Sequence, residues 1–333
     1  MLPSADQLTH EAHPELFHYT SKAGLEGIIT SQSLWATRYD CLNDSQEVFQ
    51  IKPLLIRSLA ERCKRYFMEA KTGNLSTKLL IAKHGGTVAA SREFAIRTIN
   101  SLYTVSFEGK PNSVAYMTPF ITSFCSHEGD SEYERQNGLL SQWRGYGRDS
   151  GFAIVFDTKA LWQAFEQDAA VYSYTTAQFP DAYYTDEEAL ADPNFQPLIE
   201  NLFRYFLYAE DRMADVLGEA LVPFLNLVTR KKHRGFREER EVRLVVFPRT
   251  EEIFRQFASQ VRAEIEFTGK RKVVHTAPSG KSYVVLFEDT KRLPIKRIIV
   301  GPGADQREKV QFAKDLVRSK IQIVRSETPF IDR

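Results

Sequence analysis

Charged side chains that could take part in chemistry are concentrated at residues 236–244, where the sequence reads FREEREVRL. If this stretch is a β-strand, Glu239, Glu241 and Arg243 share one face, because side chains alternate along a strand. Burying two carboxylates is costly unless each is paired or has its pKa raised, and a reaction that uses them makes the cost tolerable. The pattern indicates either a carboxylate-based site or a solvated strand face with cross-strand ion pairs.

A second candidate lies at residues 16–20, which read LFHYT. Strand alternation places Phe17 and Tyr19 on one face of this segment. His18 and Thr20 then point to the other face, where they could hydrogen-bond a ribose hydroxyl and an amide. The alternative is an ordinary structural histidine whose ring nitrogens are satisfied by the fold.

A third candidate lies at residues 141–147, SQWRGYG, where two glycines give the backbone freedom. The rings of Trp143 and Tyr146 could stack on a flat cationic nicotinamide, and Arg144 offers a planar fork for phosphate. The alternative is a packed surface loop in which Trp143 fills the core.

A short basic run, RKKHR, occupies residues 230–234. Such a run either ends a helix in solvent or holds a pyrophosphate or a nucleic acid. No serine or cysteine lies in a nucleophile elbow, and the seven histidines show no HExxH spacing. The sequence therefore predicts neither a metal site nor a hydrolase triad.

The elements that must position these residues mix strands and helices without regular alternation, which favours an α+β fold with a mixed or mainly antiparallel sheet. We predict a single domain over residues 1–333 with a helical insertion at about 48–105 and a second helical segment at about 185–230. Nine segments have strand patterns: 16–20, 34–37, 120–124, 151–156, 241–247, 272–274, 283–287, 298–300 and 321–324.

The composition is that of a globular protein, with 333 residues of which 43% are hydrophobic. Lys plus Arg number 44 and Asp plus Glu 43, so the net charge gives no general reason to expect nucleic acid or a membrane as partner. Three widely spaced cysteines predict neither disulfides nor a zinc site. With no signal-peptide pattern and no apolar run of about 18 residues, we expect a cytoplasmic protein.

Four segments taken together resemble a bacterial family catalogued as domain-of-unknown-function family 2971. They are LFHYTSKAGLEGII, LWATRYDCLNDSQE, SQWRGYG with GFAIVFD, and FREEREVRLVV. A weaker similarity continues through IKRIIVGPGA and SETPF. The same segments resemble the H-Y-E or R-S-E layout of ADP-ribosyltransferases, which implies a split, two-sheet α+β cleft.

The transferase resemblance also implies roles. Glu241 would be the catalytic carboxylate and Glu239 would orient the acceptor. In the stretch ITSFCS, Ser123 loosely matches the aromatic-Ser-x-Ser strand, although Cys125 stands where a serine is expected. The residues implied to hold NAD are His18, Tyr19, Thr20, Ser123, Trp143, Arg144 and Tyr146.

The implied activity is transfer of ADP-ribose from NAD, a substrate whose positively charged nicotinamide is already a good leaving group. One carboxylate suffices to stabilise the oxocarbenium-like transition state, and a second can act as general base for the acceptor. The acceptor would be RNA, DNA or protein. The resemblance adds a toxin or anti-phage role and an antitoxin or inhibitor partner as expectations. An NAD glycohydrolase and a non-catalytic nucleotide or nucleic-acid binding module are the alternatives.

Overall fold

A computed structural model describes residues 9–42, 47–70, 75–108, 118–146, 151–207, 213–251, 269–317 and 321–329. The chain divides into two compact units. A sheet unit is formed by Met1–Leu42, Pro119–Ala182 and Gly235–Arg333. A helical unit is formed by Asn43–Thr118 and Tyr183–Arg234.

The sheet unit contains one ten-stranded sheet in which every pair of described strands is antiparallel except β9 with β10. The order is β10-β9-β4-β1-β3-β2-β8-β7, with β6 beside β3 and β5 beside β6. The α+β class and the mainly antiparallel sheet are thus confirmed. The strands are β1 (Glu15–Thr20), β2 (Leu34–Arg38), β3 (Phe120–Ser126), β4 (Phe152–Asp157), β5 (Tyr174–Gln178), β6 (Glu241–Pro248), β7 (His275–Thr276), β8 (Ser282–Leu286), β9 (Ile295–Val300) and β10 (Gln322–Arg325).

The central strands are covered on both faces, which explains their nearly continuous apolar sequences. All eight residues of β6 are buried, and so are the first five of β4. One face packs into the larger core, which includes Leu16, Phe124 and Leu244. The opposite face carries a smaller cluster around Phe17 and Trp143.

Six helices accompany the sheet in the part of the chain that the structure describes. Their starts follow ordinary capping chemistry: the Ser21 hydroxyl accepts from the Gly24 amide, and Ser131 and Glu134 form a capping box. Ser21 is therefore the N-cap of the helix Lys22–Ser31. The helices are α1 (Thr9–Ala12), α2 (Lys22–Ser31), α6 (Glu132–Asn137), α7 (Leu140–Tyr146), α8 (Thr158–Val171) and α12 (Gln306–Leu316).

The helical unit is built by α3 packing against α5 and α10, and by α10 packing against α11. Its two sequence segments include the stretches for which helices were predicted, about 48–105 and about 185–230. Within the residues that the structure describes, no helix is long and apolar enough to cross a membrane. The helices are α3 (Lys52–Ala70), α4 (Leu75–Lys83), α5 (Thr87–Tyr103), α9 (Asp186–Leu190), α10 (Phe195–Leu207) and α11 (Met213–Val228).

Strand β3 has an interrupted edge. One edge pairs with β6 from Phe120 to Cys125. The other edge is shared, because β2 pairs with its start at Phe120 and Ile121 while β1 pairs with its end at Cys125 and Ser126. Between those two contacts, residues 122–124 have no strand partner on this edge among the described residues. We call this interval the split.

Candidate functional site

His18 reaches into the split from β1. Its Nδ1 lies 3.0 Å from the Ser123 carbonyl oxygen. Because a strand carbonyl lies in the plane of its sheet, the imidazole occupies the gap between the strands. Burial lowers the pKa of His18 and outweighs this hydrogen bond, so the ring is neutral at pH 7. A carbonyl only accepts, so Nδ1 carries the proton and Nε2 is left as an acceptor.

A buried ion pair lies on the other side of β3. Glu241 and Arg243 stand opposite Cys125 and Ser123 in the register of β6 with β3, so all four side chains share a face. Arg243 Nη2 donates to Glu241 Oε2 over 2.9 Å, and the two residues are only 1% and 4% exposed. The charge pair predicted from the sequence therefore exists inside the fold, one strand away from the split. It lies on the face of the sheet opposite to the His18 side chain, because Cys125 is the cross-strand partner of Phe17.

Glu239 does not belong to this strand face, and the prediction that it shares a face with Glu241 is wrong. It ends a 3₁₀ helix, Arg234–Glu239, and the strand begins only at Glu241. Arg240 between them has a left-handed backbone with φ of 40°, and its amide donates to the Arg237 carbonyl. This turn breaks the alternation on which the expected pairing of the two glutamates depended.

The predicted alternation along β1 is confirmed. Tyr19 is buried with Phe17 on the face opposite to His18. The Tyr19 hydroxyl lies 3.1 Å from His127 Nε2 and accepts from the Leu139 amide over 3.0 Å. Tyr19 thus fills a structural position, while half-buried Thr20 stays on the His18 side by alternation.

The predicted flexible loop around Trp143 is wrong, because these residues form helix α7. Trp143 is 1% exposed and its Nε1 donates to the Asn137 carbonyl over 3.0 Å. Its ring meets Tyr19 edge-on at 4.8 Å and lies against Gly301. The ring therefore fills the core, which is the alternative left open from the sequence. In the same helix Arg144 is exposed.

Two of the predicted positions at the end of α7 cannot be placed further. The side chain of Tyr146 and all of Gly147 lie outside the described residues. The ring stacking predicted for Tyr146 stays a prediction.

Sequence reasoning missed a hydrogen-bonded serine-histidine-aspartate chain. Ser126 Oγ lies 2.7 Å from His13 Nδ1, and His13 Nε2 lies 2.7 Å from Asp181 Oδ1. Ser126 is only 2% exposed, and its hydroxyl also accepts from the Glu128 amide over 3.2 Å. This chain of hydrogen bonds ties three segments of the sheet unit together.

The basic run at 230–234 is partly used inside the helical unit. Arg230 pairs with Asp192 at 2.7 Å, and Lys231 pairs with Asp186 at 3.0 Å. These pairings reduce the charge that the run can offer to a polyanion. Among the described residues, no three His, Cys, Asp or Glu side chains are grouped as metal ligands would be.

The described chain belongs to the class of mixed α+β proteins built on an open, mostly antiparallel sheet. Residues 142–244 match the protein family DUF2971, described as "Protein of unknown function". A search of curated proteins and a search of solved structures each found no match. The matched region contains Trp143, Glu239 and Glu241, whereas His18 and Ser123 lie before it.

Proposed function

We propose that this protein is an ADP-ribosyltransferase that transfers ADP-ribose from NAD to a macromolecule. The observation that carries the proposal is the interrupted edge of β3, with the His18 ring in the gap and Glu241 on the strand beside it. The two side chains leave their strands on opposite faces of the sheet, so the proposal requires NAD to reach both through the gap. The transferase resemblance implies a sheet split in two. Here the ten strands form one sheet, and the interrupted edge of β3 is the feature that corresponds best to such a division. The family match adds no activity of its own, since that family is described only as having unknown function.

In this proposal His18 holds the nicotinamide ribose. Its Nδ1 is committed to Ser123, which fixes the ring and leaves Nε2 to accept from a ribose hydroxyl. A neutral imidazole is required for that role, because a protonated ring has no acceptor nitrogen. The lowered pKa of His18 maintains this neutral form at pH 7.

Glu241 is proposed as the single catalytic carboxylate. The bond between nicotinamide nitrogen and ribose C1′ breaks, and its electron pair leaves with nicotinamide. The acceptor atom then bonds to C1′ and loses its proton to solvent. Glu241 stabilises the positive charge that develops on the sugar, and Arg243 fixes the position of the carboxylate through their 2.9 Å hydrogen bond. Because Glu241 is 4% exposed, NAD binding must be accompanied by a movement that uncovers it.

The test measures nicotinamide release from NAD by the purified chain and by Glu241→Gln, with and without RNA, DNA or protein extract. Glu239→Gln is the matched control, because it makes the same change to a nearby carboxylate that lies outside β6. Glu241→Asp keeps the charge beside Arg243, so it reports on geometry if the glutamine variant is too unstable. Unfolding temperatures are measured for all variants.

The proposal requires release by the wild type and by Glu239→Gln, and its loss in a folded Glu241 variant. Label transferred from adenylate-labelled NAD identifies the acceptor. Release with only free ADP-ribose as product would instead establish an NAD glycohydrolase. Release that persists unchanged in a folded Glu241→Gln would contradict the assignment of this carboxylate.

A further inference from the structure

A column of aromatic rings crosses the outer strands of the sheet unit. Trp35 on β2 stacks on Tyr283 of β8 with 3.9 Å between ring centroids and 17° between planes. His275 of β7 continues the stack at 5.4 Å and 27°. The rings therefore stand side by side across three neighbouring strands.

These rings lie on the solvent side of the strands. Trp35 is 52% exposed, while its neighbours Leu34 and Ala36 are buried in the core. Tyr283 covers one face of the indole, and the described residues place no ring on the other. An exposed tryptophan with one open face is poorly explained by packing, since most large rings of this size are used to fill cores.

The column leads towards the split. Thr37 pairs with Ile121, so the outer face of β2 continues into the face of β3 that carries Ser123. Continuing that register places Trp35 level with Ser123. Strands are about 4.8 Å apart, so Arg243 on β6 is on the order of 10 Å away across two strand spacings. Trp35 is thus the end of the column nearest to the candidate site.

Positive charge is concentrated around the same strands. Residues 269–293 contain six Lys or Arg and two Asp or Glu, whereas the whole chain has 44 and 43. Three of these cations, Lys281, Lys291 and Arg292, are exposed, and the described part of the chain gives them no ion pair. Lys281 directly precedes β8, which carries Tyr283.

We propose that this face binds single-stranded nucleic acid, with one base stacked on the open face of Trp35. Every base has a flat π-face, and exposed cations beside an aromatic platform attract the phosphate backbone. Lys281, Lys291 and Arg292 supply that attraction. The inference names the class of acceptor for the proposed transferase, and in that respect it rests on the proposed function. The binding itself is testable without NAD.

The experiment measures fluorescence anisotropy of labelled single-stranded RNA and DNA of roughly 12 nucleotides, a length within the range that stacking platforms cover. The full chain is used without NAD. Trp35→Ala is expected to weaken binding about 5- to 150-fold, the loss typical of one stacked base. Tyr133→Ala is the matched control, because Tyr133 is 47% exposed on α6 and stacks on no ring among the described residues.

Charge is tested separately with Lys281→Gln. This variant is expected to lower the slope of log affinity against log salt by about 0.7, the value for one phosphate contact on a single strand. Duplexes of the same sequence are expected to bind more weakly, because their bases are not available for stacking. AMP as competitor distinguishes a free nucleotide from a strand as the ligand.

Equal affinity of Trp35→Ala and Tyr133→Ala would overturn the inference, and so would equal binding of duplex and single strand. Failure of every oligonucleotide to bind would overturn it too, as would AMP binding as tightly as the strand. Glu241→Gln is expected to bind oligonucleotide like the wild type. Nicotinamide release without oligonucleotide binding would therefore contradict only this inference. Oligonucleotide binding without nicotinamide release would contradict only the proposed transferase activity.

Discussion

The imidazole of His18 donates to the main-chain carbonyl of Ser123 across the split in the sheet. The bond joins a side chain of β1 to a backbone group of β3 at the place where β1 and β3 are no longer paired. It satisfies a carbonyl that would otherwise lack a strand partner, and it fixes the imidazole with one nitrogen still available.

Replacing His18 by Ala is expected to reduce kcat/KM for nicotinamide release about tenfold, since it removes one hydrogen bond to the ribose. The loss should lie mainly in KM if the bond is already made to bound NAD. Activity of the wild type should also fall as the pH drops through the lowered pKa of His18. His84→Ala, in the helical unit, is the control, and equal kinetics of the two variants would remove His18 from the site.

A methyl group at Gly301 is expected to destabilise the sheet unit. Its Cβ would stand 2.7 Å from the Gly151 carbonyl oxygen and 3.0 Å from the Trp143 ring, so the Gly301→Ala variant should lose about 1–3 kcal/mol. Gly27 in α2 has nothing within 4 Å of such a carbon. Gly27→Ala should therefore gain up to about 1 kcal/mol from helix propensity. Urea unfolding measures both, and a neutral Gly301→Ala would mean that Trp143 can move.

The free energy of unfolding is expected to fall on acidification because of His127. Burial, with a smaller contribution from Arg240, lowers the pKa of its imidazole to about 4. The unfolded chain binds this proton near pH 6.5 and the folded chain only near pH 4. Stability is therefore complete above about pH 6.5 and decreases by about 1.4 kcal/mol per pH unit between those values.

Urea unfolding at a series of pH values between 4 and 7.5 measures this dependence. In His127→Gln the free energy of unfolding should depend less steeply on pH. Part of the dependence should remain, because the pKa of His18 is also lowered. An unchanged slope in that variant would show that His127 is not the titrating group.

Asp168 is expected to be essential for stability. Its Oδ1 accepts from Lys272 Nζ at 3.1 Å and from the Phe287 amide at 2.9 Å, and its Oδ2 accepts from Tyr174 at 2.5 Å. Asp168→Ala would leave the fully buried Lys272 ammonium with only the longer 3.6 Å pair to Glu288, at a cost of about 3–5 kcal/mol. The double variant with Lys272→Met should cost less than the sum of the single variants. Strict additivity in urea unfolding would show that the pair is not coupled.

Local pattern was sufficient for much of the fold. The apolar run at 151–156 and the alternating segment at 16–20 form strands where predicted. A strand buried on both faces has a continuous apolar sequence, and a strand with unlike faces has an alternating one. The strand predicted at 272–274 is instead β7 at His275–Thr276, and a turn at residues 277–280 joins it to β8.

The rest depended on contacts between distant segments. Nothing near Trp143 signals that its ring would be held by Asn137 and seated on Gly301, so two glycines were interpreted as a loop. A left-handed Arg240, which separates Glu239 from the strand, is not visible in a charge pattern. Trp35 could have been suspected, because it stands between two core residues of a strand where a polar side chain would be usual.

The continuous edge of β3, opposite the interrupted one, also determines when this chain can fold during its synthesis. Two of its partner strands, β1 and β2, precede it, but β6 follows about 115 residues after β3 ends. At ordinary translation speeds that interval lasts roughly 6 to 23 s. Throughout it the nascent chain carries an apolar strand with one whole edge open to other chains, which is a hazard for aggregation. The centre of the sheet closes only when residues 241–246 have left the ribosome, so we expect the growing chain to depend on chaperones at this stage.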